Sequence, residues 1–329
     1  MQKKQYSRQA GMTMVELMIA LLIGLLLSAA IITVYISNKN TFWQTEAAAS
    51  MQDNALFAKR LIGDEIQHAK YPGEIAVSID KIDYKGMALI DDCGPTGVKK
   101  LAELPGVFAI NFNSISVDLP ACLTKSDIKV GTDILFIKRS AREAPASITD
   151  IKNEKLYVKV TGTDSGELFI GANKASVVAS DHYVHGGDDM DSIREFICRV
   201  YYIHHPAGTV FPQLRRKTLR NNGSSWEWIT ETVADGIEDI HFQFGVDTNP
   251  IPNGQVNKYY TAEQLSATAD WNEIHAIKMF MLTQSTRSDS GFIDKKTYNY
   301  RGTDYTPANG SYASYHRKLH QTTFMITNK

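Results

Sequence analysis

Gly11-Met12-Thr13-Met14-Val15-Glu16-Leu17-Met18-Ile19-Ala20 opens an apolar run that continues to Ile36. Only Thr13, Glu16, Gly24, Ser28, Thr33 and Tyr35 interrupt residues 12–36. At about 1.5 Å per residue, a helix over this run spans a hydrocarbon layer of about 30 Å. A secretory signal has a shorter apolar region followed by a small-residue cleavage site. Ser28-Ala29-Ala30 mimics such a site, but apolar sequence continues past it. Lys3, Lys4 and Arg8 precede the run and no acid occurs before Glu16. The positive-inside rule therefore keeps the N-terminus cytoplasmic and exports the chain beyond Ile36. Glu16 is the anomaly. An acid at the centre of a membrane helix costs about 2.5–3.5 kcal/mol, so one kept in such a helix marks a function.

The chain of 329 residues has enough material for one large or two modest domains. Its 35 basic and 36 acidic residues nearly cancel, so no global field argues for a nucleic-acid partner. Its three cysteines, Cys93, Cys122 and Cys198, would face an oxidising compartment after export. Cys93 and Cys122 lie in Gly/Pro-containing loop sequence, which favours a bridge between them. Cys198 sits in the strand-like run Phe196–Ile203, where a thiol behaves as a small hydrophobe.

Helical character continues beyond the apolar run. From Thr41 to His68 there is no proline, and Gly63 is the only glycine. Ala47, Met51, Ala55, Ala58, Ile62 and Ile66 fall on one helical stripe, with Glu46, Asp53, Lys59, Arg60 and Asp64 opposite. Tyr71-Pro72-Gly73 supplies a stop. From Tyr71 onward the pattern has period two. Strands are expected at residues 75–79, 107–112, 132–137, 156–160, 168–170, 196–203, 226–229, 240–246, 274–282 and 322–326, and a short helix at 261–269. Asn222-Gly223, Asn253-Gly254 and Asn309-Gly310 are turn signals between them. The expected fold class is α+β. A long N-terminal helix, residues 12–70 with the membrane part at 12–36, packs on a large, mostly antiparallel β domain over 71–329.

The segment Gly11–Ala20, with its basic leader and long apolar continuation, resembles the class III signal of type IV pilins and type II secretion pseudopilins. It departs from the commonest form in carrying Met12 rather than phenylalanine. Residues 54–66, Gly131–Arg139, Ile240–Thr248, Tyr315–Lys318 and Thr322–Asn328 are similar to segments of PilW-type minor pilins. The resemblance implies a type IV pilin-like fold and a leader of residues 1–11. It implies cleavage between Gly11 and Met12 by prepilin peptidase, N-methylation of Met12, and subunit assembly through Glu16. It places the exported domain on the periplasmic side of the inner membrane, and the subunit at the pilus tip after assembly. Implied partners are the other minor pilins (PilV, PilX, FimU and PilE types), the major pilin and a PilY-type tip adhesin. Pilus biogenesis, twitching motility and adhesion are the processes implied. The electrostatic account is that Glu16 of an incoming subunit meets the freed amine of Met12 on its neighbour. Such pairing mainly offsets desolvation and so sets register.

Two other readings compete. A type II secretion pseudopilin of the GspJ kind shares the signal and a large β domain. A membrane-anchored exported enzyme is more distant, because no nucleophile elbow, phosphate-cradling loop or HExxH motif occurs. No catalytic residue or cofactor is expected. His182-Tyr183-Val184-His185-Gly186-Gly187-Asp188-Asp189-Met190-Asp191 has plausible ligand spacing, but it lacks the calcium-loop pattern and reads as a solvated loop, so no metal is expected. His204-His205-Pro206 reads as a strand end, Arg215-Arg216-Lys217 as a wet loop, and Trp226 with Trp228 as a one-face core pair.

Overall fold

The computed structural model describes residues 11–71, 105–120, 122–160, 166–178, 193–205, 211–221, 226–251, 253–268, 271–289, 291–300, 303–307 and 311–327. It divides into two compact units, Met1–Ala49 and Ser50–Lys329. The strand expected at 75–79, Cys93, the His182–Asp191 stretch and the turns at Asn222-Gly223 and Asn309-Gly310 lie outside the described residues.

The first long helix, α1, runs Met14–Gln67. In the first unit its apolar side chains are exposed all round, with Met14 at 83% and Leu25 at 71%. Two of the interrupting hydroxyls are satisfied within the helix. Ser28 Oγ donates to Gly24 O at 2.8 Å and Thr33 Oγ1 to Ala29 O at 2.9 Å. Back-bonding of this kind lets a polar side chain sit in lipid without an open donor. The segment is long and apolar enough to cross a membrane.

In the second unit α1 buries Met51, Ala55, Ala58, Ile62, Gly63, Glu65 and Ile66. The expected stripe is thus the packed face, and Asp53, Arg60 and Asp64 are exposed opposite it. The helix stops before the expected Pro72. After a turn at 68–70, Lys70 takes a positive φ of 67°. That backbone is costly for a residue with a Cβ and persists only where the surroundings fix it. Here Lys70 N–H donates to Lys138 O, its Nζ to Ile274 O, and Ser140 N–H closes on Tyr71 O.

The strands are β1 (Val107–Phe112), β2 (Thr132–Ser140), β3 (Leu156–Val160), β4 (Gly166–Ile170), β5 (Ile193–His204), β6 (Gln213–Asn221) and β7 (Trp226–Asp235). They continue with β8 (Ile237–Val246), β9 (Lys258–Thr261), β10 (Ile274–Gln284), β11 (Tyr298–Tyr300), β12 (Thr303–Tyr305) and β13 (Arg317–Met325). Two short helices, α2 (Lys174–Val178) and α3 (Ala262–Thr268), also occur among the described residues. Thr261 and Gln264 cap α3 reciprocally, at 3.3 and 3.1 Å.

A seven-stranded sheet A runs β1-β2-β5-β3-β4, with β6 also on β5 and β7 on β6. The length of β5 makes this possible. Its residues 193–196 pair with β3 and its residues 199–204 with β6. A four-stranded sheet B runs β13-β10-β8-β9, and β11 pairs with β12. Every pairing is antiparallel. The principal core gathers Ala55, Ala58, Ile62 and Ile66 of α1, Leu135, Ile137 and Tyr201 of sheet A, and Phe242, Phe244 and Ile277 of sheet B. Burying each large aliphatic side chain contributes about 1.5–3 kcal/mol. Gly63 permits the closest approach. A Cβ there would stand 2.4 Å from Phe324 of β13. A second core on the other face of sheet A holds Phe112, Phe136, Cys198 and Val200, with Trp226 and Trp228 packed against it.

Strand β8 is paired with β9 only over residues 243–246. Two side chains, Lys129 from the loop before β2 and Asp133 from β2 itself, reach backbone groups of the unpaired stretch. Lys129 Nζ donates to Glu238 O at 2.7 Å, and Phe242 N–H donates to Asp133 Oδ2 at 2.8 Å. Buried backbone groups need partners, and these two close the junction between the sheets.

Candidate functional site

The start of α1 is a capping box. Thr13 N–H and Thr13 Oγ1 both donate to Glu16 Oε2, at 3.0 and 3.2 Å, while Glu16 N–H donates back to Thr13 Oγ1 at 3.2 Å. Thr13 is therefore the N-cap and Glu16 the third helical residue, which satisfies two of the donors a helix start leaves open. The membrane cost of the acid pointed to a partner on another molecule alone. The structure gives Glu16 one in its own chain. The Ser/Thr-x-x-Glu spacing at Thr13–Glu16 is the signal that could have shown this.

Gly11 precedes the cap. Nothing lies within 4 Å of where its Cβ would stand, and its φ is not among the positive ones. Among the described residues nothing demands glycine at that position. A requirement for it would come from whatever handles the segment from outside. Met12, next in sequence, is 69% exposed.

Glu65 joins α1 to sheet A. Its carboxylate accepts from Arg139 Nε at 2.9 Å, from Arg139 Nη2 at 3.3 Å, and from Arg199 Nη1. Burial pushes both guanidinium pKa values down. Arg216 of β6 pairs with Glu231 of β7 at 2.5 Å on the same side. The expectation of a wet loop at Arg215-Arg216-Lys217 is thus corrected. These residues lie half-buried in β6, and Lys217 Nζ donates to Cys122 O at 2.7 Å.

Residues 6–32 match the family model of the prokaryotic N-terminal methylation motif, and residues 200–328 match that of type IV pilus-assembly protein W. Both matches are to pilin families, and together they support a PilW-type minor pilin. The second match covers the end of β5 and every later element, including all of sheet B. No curated protein and no solved structure matches the chain.

The PilW-matched segment holds a buried polar network. Arg317 donates to Glu238 through Nε at 2.5 Å and to Tyr312 O at 2.8 Å, and it lies 3.5 Å from Asp294. Tyr298 donates to Asp294 at 2.9 Å, Tyr305 to Glu238 at 2.6 Å, and Tyr300 to Asp239. This network ties residues 294–317 to β8. Beside it His241 lies between Asp133 at 3.3 Å and Asp239 at 3.2 Å. Burial opposes the charged imidazole, but the two carboxylates outweigh it and hold its pKa at about 9. The ring is therefore cationic at neutral pH.

A raised pKa favours folding below the unfolded value of 6.5, and that contribution is lost as pH climbs through about 9. Urea midpoints should fall between those two values and fall less in His241→Asn, which has no such proton. Parallel profiles for the two proteins would contradict this assignment.

Among the remaining expectations, Cys122 is disulfide-bonded and Cys198 is a buried free thiol whose pKa burial raises to about 12. His204 is the last residue of β5, and Trp226 and Trp228 share one face of β7.

Proposed function

We propose that this PilW-type pilin is a low-abundance subunit that primes assembly of a type IV pilus and remains at its tip. Prepilin peptidase cuts it between Gly11 and Met12, and Met12 is then N-methylated. The observation that carries this reading is the capped carboxylate of Glu16 at the head of a helix whose large apolar side chains from Met14 to Ile36 are exposed among the described residues. Thr13 holds the carboxylate in the membrane-bound subunit. On assembly, the amine of a neighbour's Met12 meets it, and the apolar surfaces pack on those of other pilin helices. The neighbours are the other minor pilins, the major pilin and a PilY-type adhesin.

The type II secretion alternative shares the N-terminal device, but the match of residues 200–328 to a pilus-assembly family favours the pilus. A chromosomal deletion tests the choice. The proposed function predicts loss of surface pili and twitching with exoprotein secretion intact, restored by the wild-type gene. Normal piliation with defective secretion would overturn it.

A further inference from the structure

On the α1-facing side of sheet A, Arg199 stands opposite Thr218, and Tyr201 opposite Arg216, in adjacent rows of β5 and β6. Glu65 serves Arg199 and Arg139, and Glu231 serves Arg216. Three guanidiniums thus have only two carboxylates in direct contact, Asp64 and Glu195 acting on Arg139 from further off, and the place is largely excluded from solvent. The next cation on this face of β6, Arg220, faces Glu227 across the β6–β7 pair. Its charge adds to the positive field at Arg199.

The same rows hold buried donors that find no acceptor. Arg199 Nε and Thr218 Oγ1 have no hydrogen-bond partner, and the hydroxyl of Tyr201, a residue 1% exposed, meets only the Arg216 guanidinium. An arginine Nε can only donate, and both hydroxyls are able to. Leaving such groups open in a protein interior is costly, and native structures leave few. What the place lacks is an acceptor bearing negative charge. Single donors from three side chains suit a spherical ion better than a tetrahedral oxyanion, which seeks paired donors.

We propose that a monatomic anion, chloride, binds between Arg199, Thr218 and Tyr201 and neutralises guanidinium charge where α1 joins sheet A. The ion would complete the Glu65 junction and stabilise the folded domain by binding only the native state.

The test uses the full chain in detergent micelles, with sodium gluconate exchanged for sodium chloride at constant ionic strength. Melting is followed by tryptophan fluorescence. The expected result is a saturable rise in Tm with chloride. Thr218→Val and Tyr201→Phe should each move the chloride midpoint up by about tenfold or more. Thr218 is the less buried position, so its variant keeps the test open if Tyr201→Phe folds poorly. A melting temperature indifferent to the exchange, as an ordered water would give, overturns the proposal. So does an unchanged chloride response in Thr218→Val.

Discussion

Glu65→Gln is expected to destabilise the β-rich unit by about 3–5 kcal/mol, the range for removing one partner of a buried ion pair. The Glu65 side chain is 3% exposed and that of Arg139 is 10%. Glutamine keeps the shape and one acceptor but removes the charge that two guanidiniums require. Arg199, at 22%, is reached by solvent and contributes less of the penalty. With about 2–4 °C per kcal/mol for domains of this size, the Tm should drop by about 6–20 °C. Asp53→Asn, on the exposed side of the same helix, should melt with the wild type. Equal melting of Glu65→Gln and wild type would mean that the apolar stripe of α1 alone holds it on the sheets.

Glu16→Gln should be cleaved normally yet fail to restore pili to the deletion strain. This substitution separates two roles that alanine would confound. Glutamine can still accept from Thr13 at the helix start, since it serves capping boxes as glutamate does. It cannot neutralise an amine. The cap itself is worth about 0.5–2 kcal/mol, too little to dissolve a long apolar helix in lipid, so processing should persist. Immunoblot mobility reads the cleavage, and electron microscopy reads the pili. Full piliation with Glu16→Gln would leave capping as the whole role of this side chain and remove the intermolecular pair.

Much of the architecture was legible because it follows periodicity. The buried stripe Met51–Ile66 repeats every three or four residues, and β1 and β3 have the bounds that their alternation marks. Strand β6 was missed for a physical reason. Gln213-Leu214-Arg215-Arg216-Lys217-Thr218-Leu219-Arg220-Asn221 is too basic to read as a strand, yet its charges find Glu231 and a backbone carbonyl once β5 and β7 flank it. The short strands β9, β11 and β12 carry too few residues to show a period. The Glu65 junction was not legible at all. Its arginines lie 74 and 134 positions away, and only the folded sheet brings them to the helix. Thr13-x-x-Glu16 is the reverse case, a local signal overshadowed by the membrane cost of the acid.

Mass spectrometry of the protein purified from membranes measures most directly whether this chain is handled as a pilin subunit. The account predicts a mature polypeptide that begins at N-methylated Met12, with residues 1–11 gone. A chain that begins at Met1, or after Ser28-Ala29-Ala30, would contradict it.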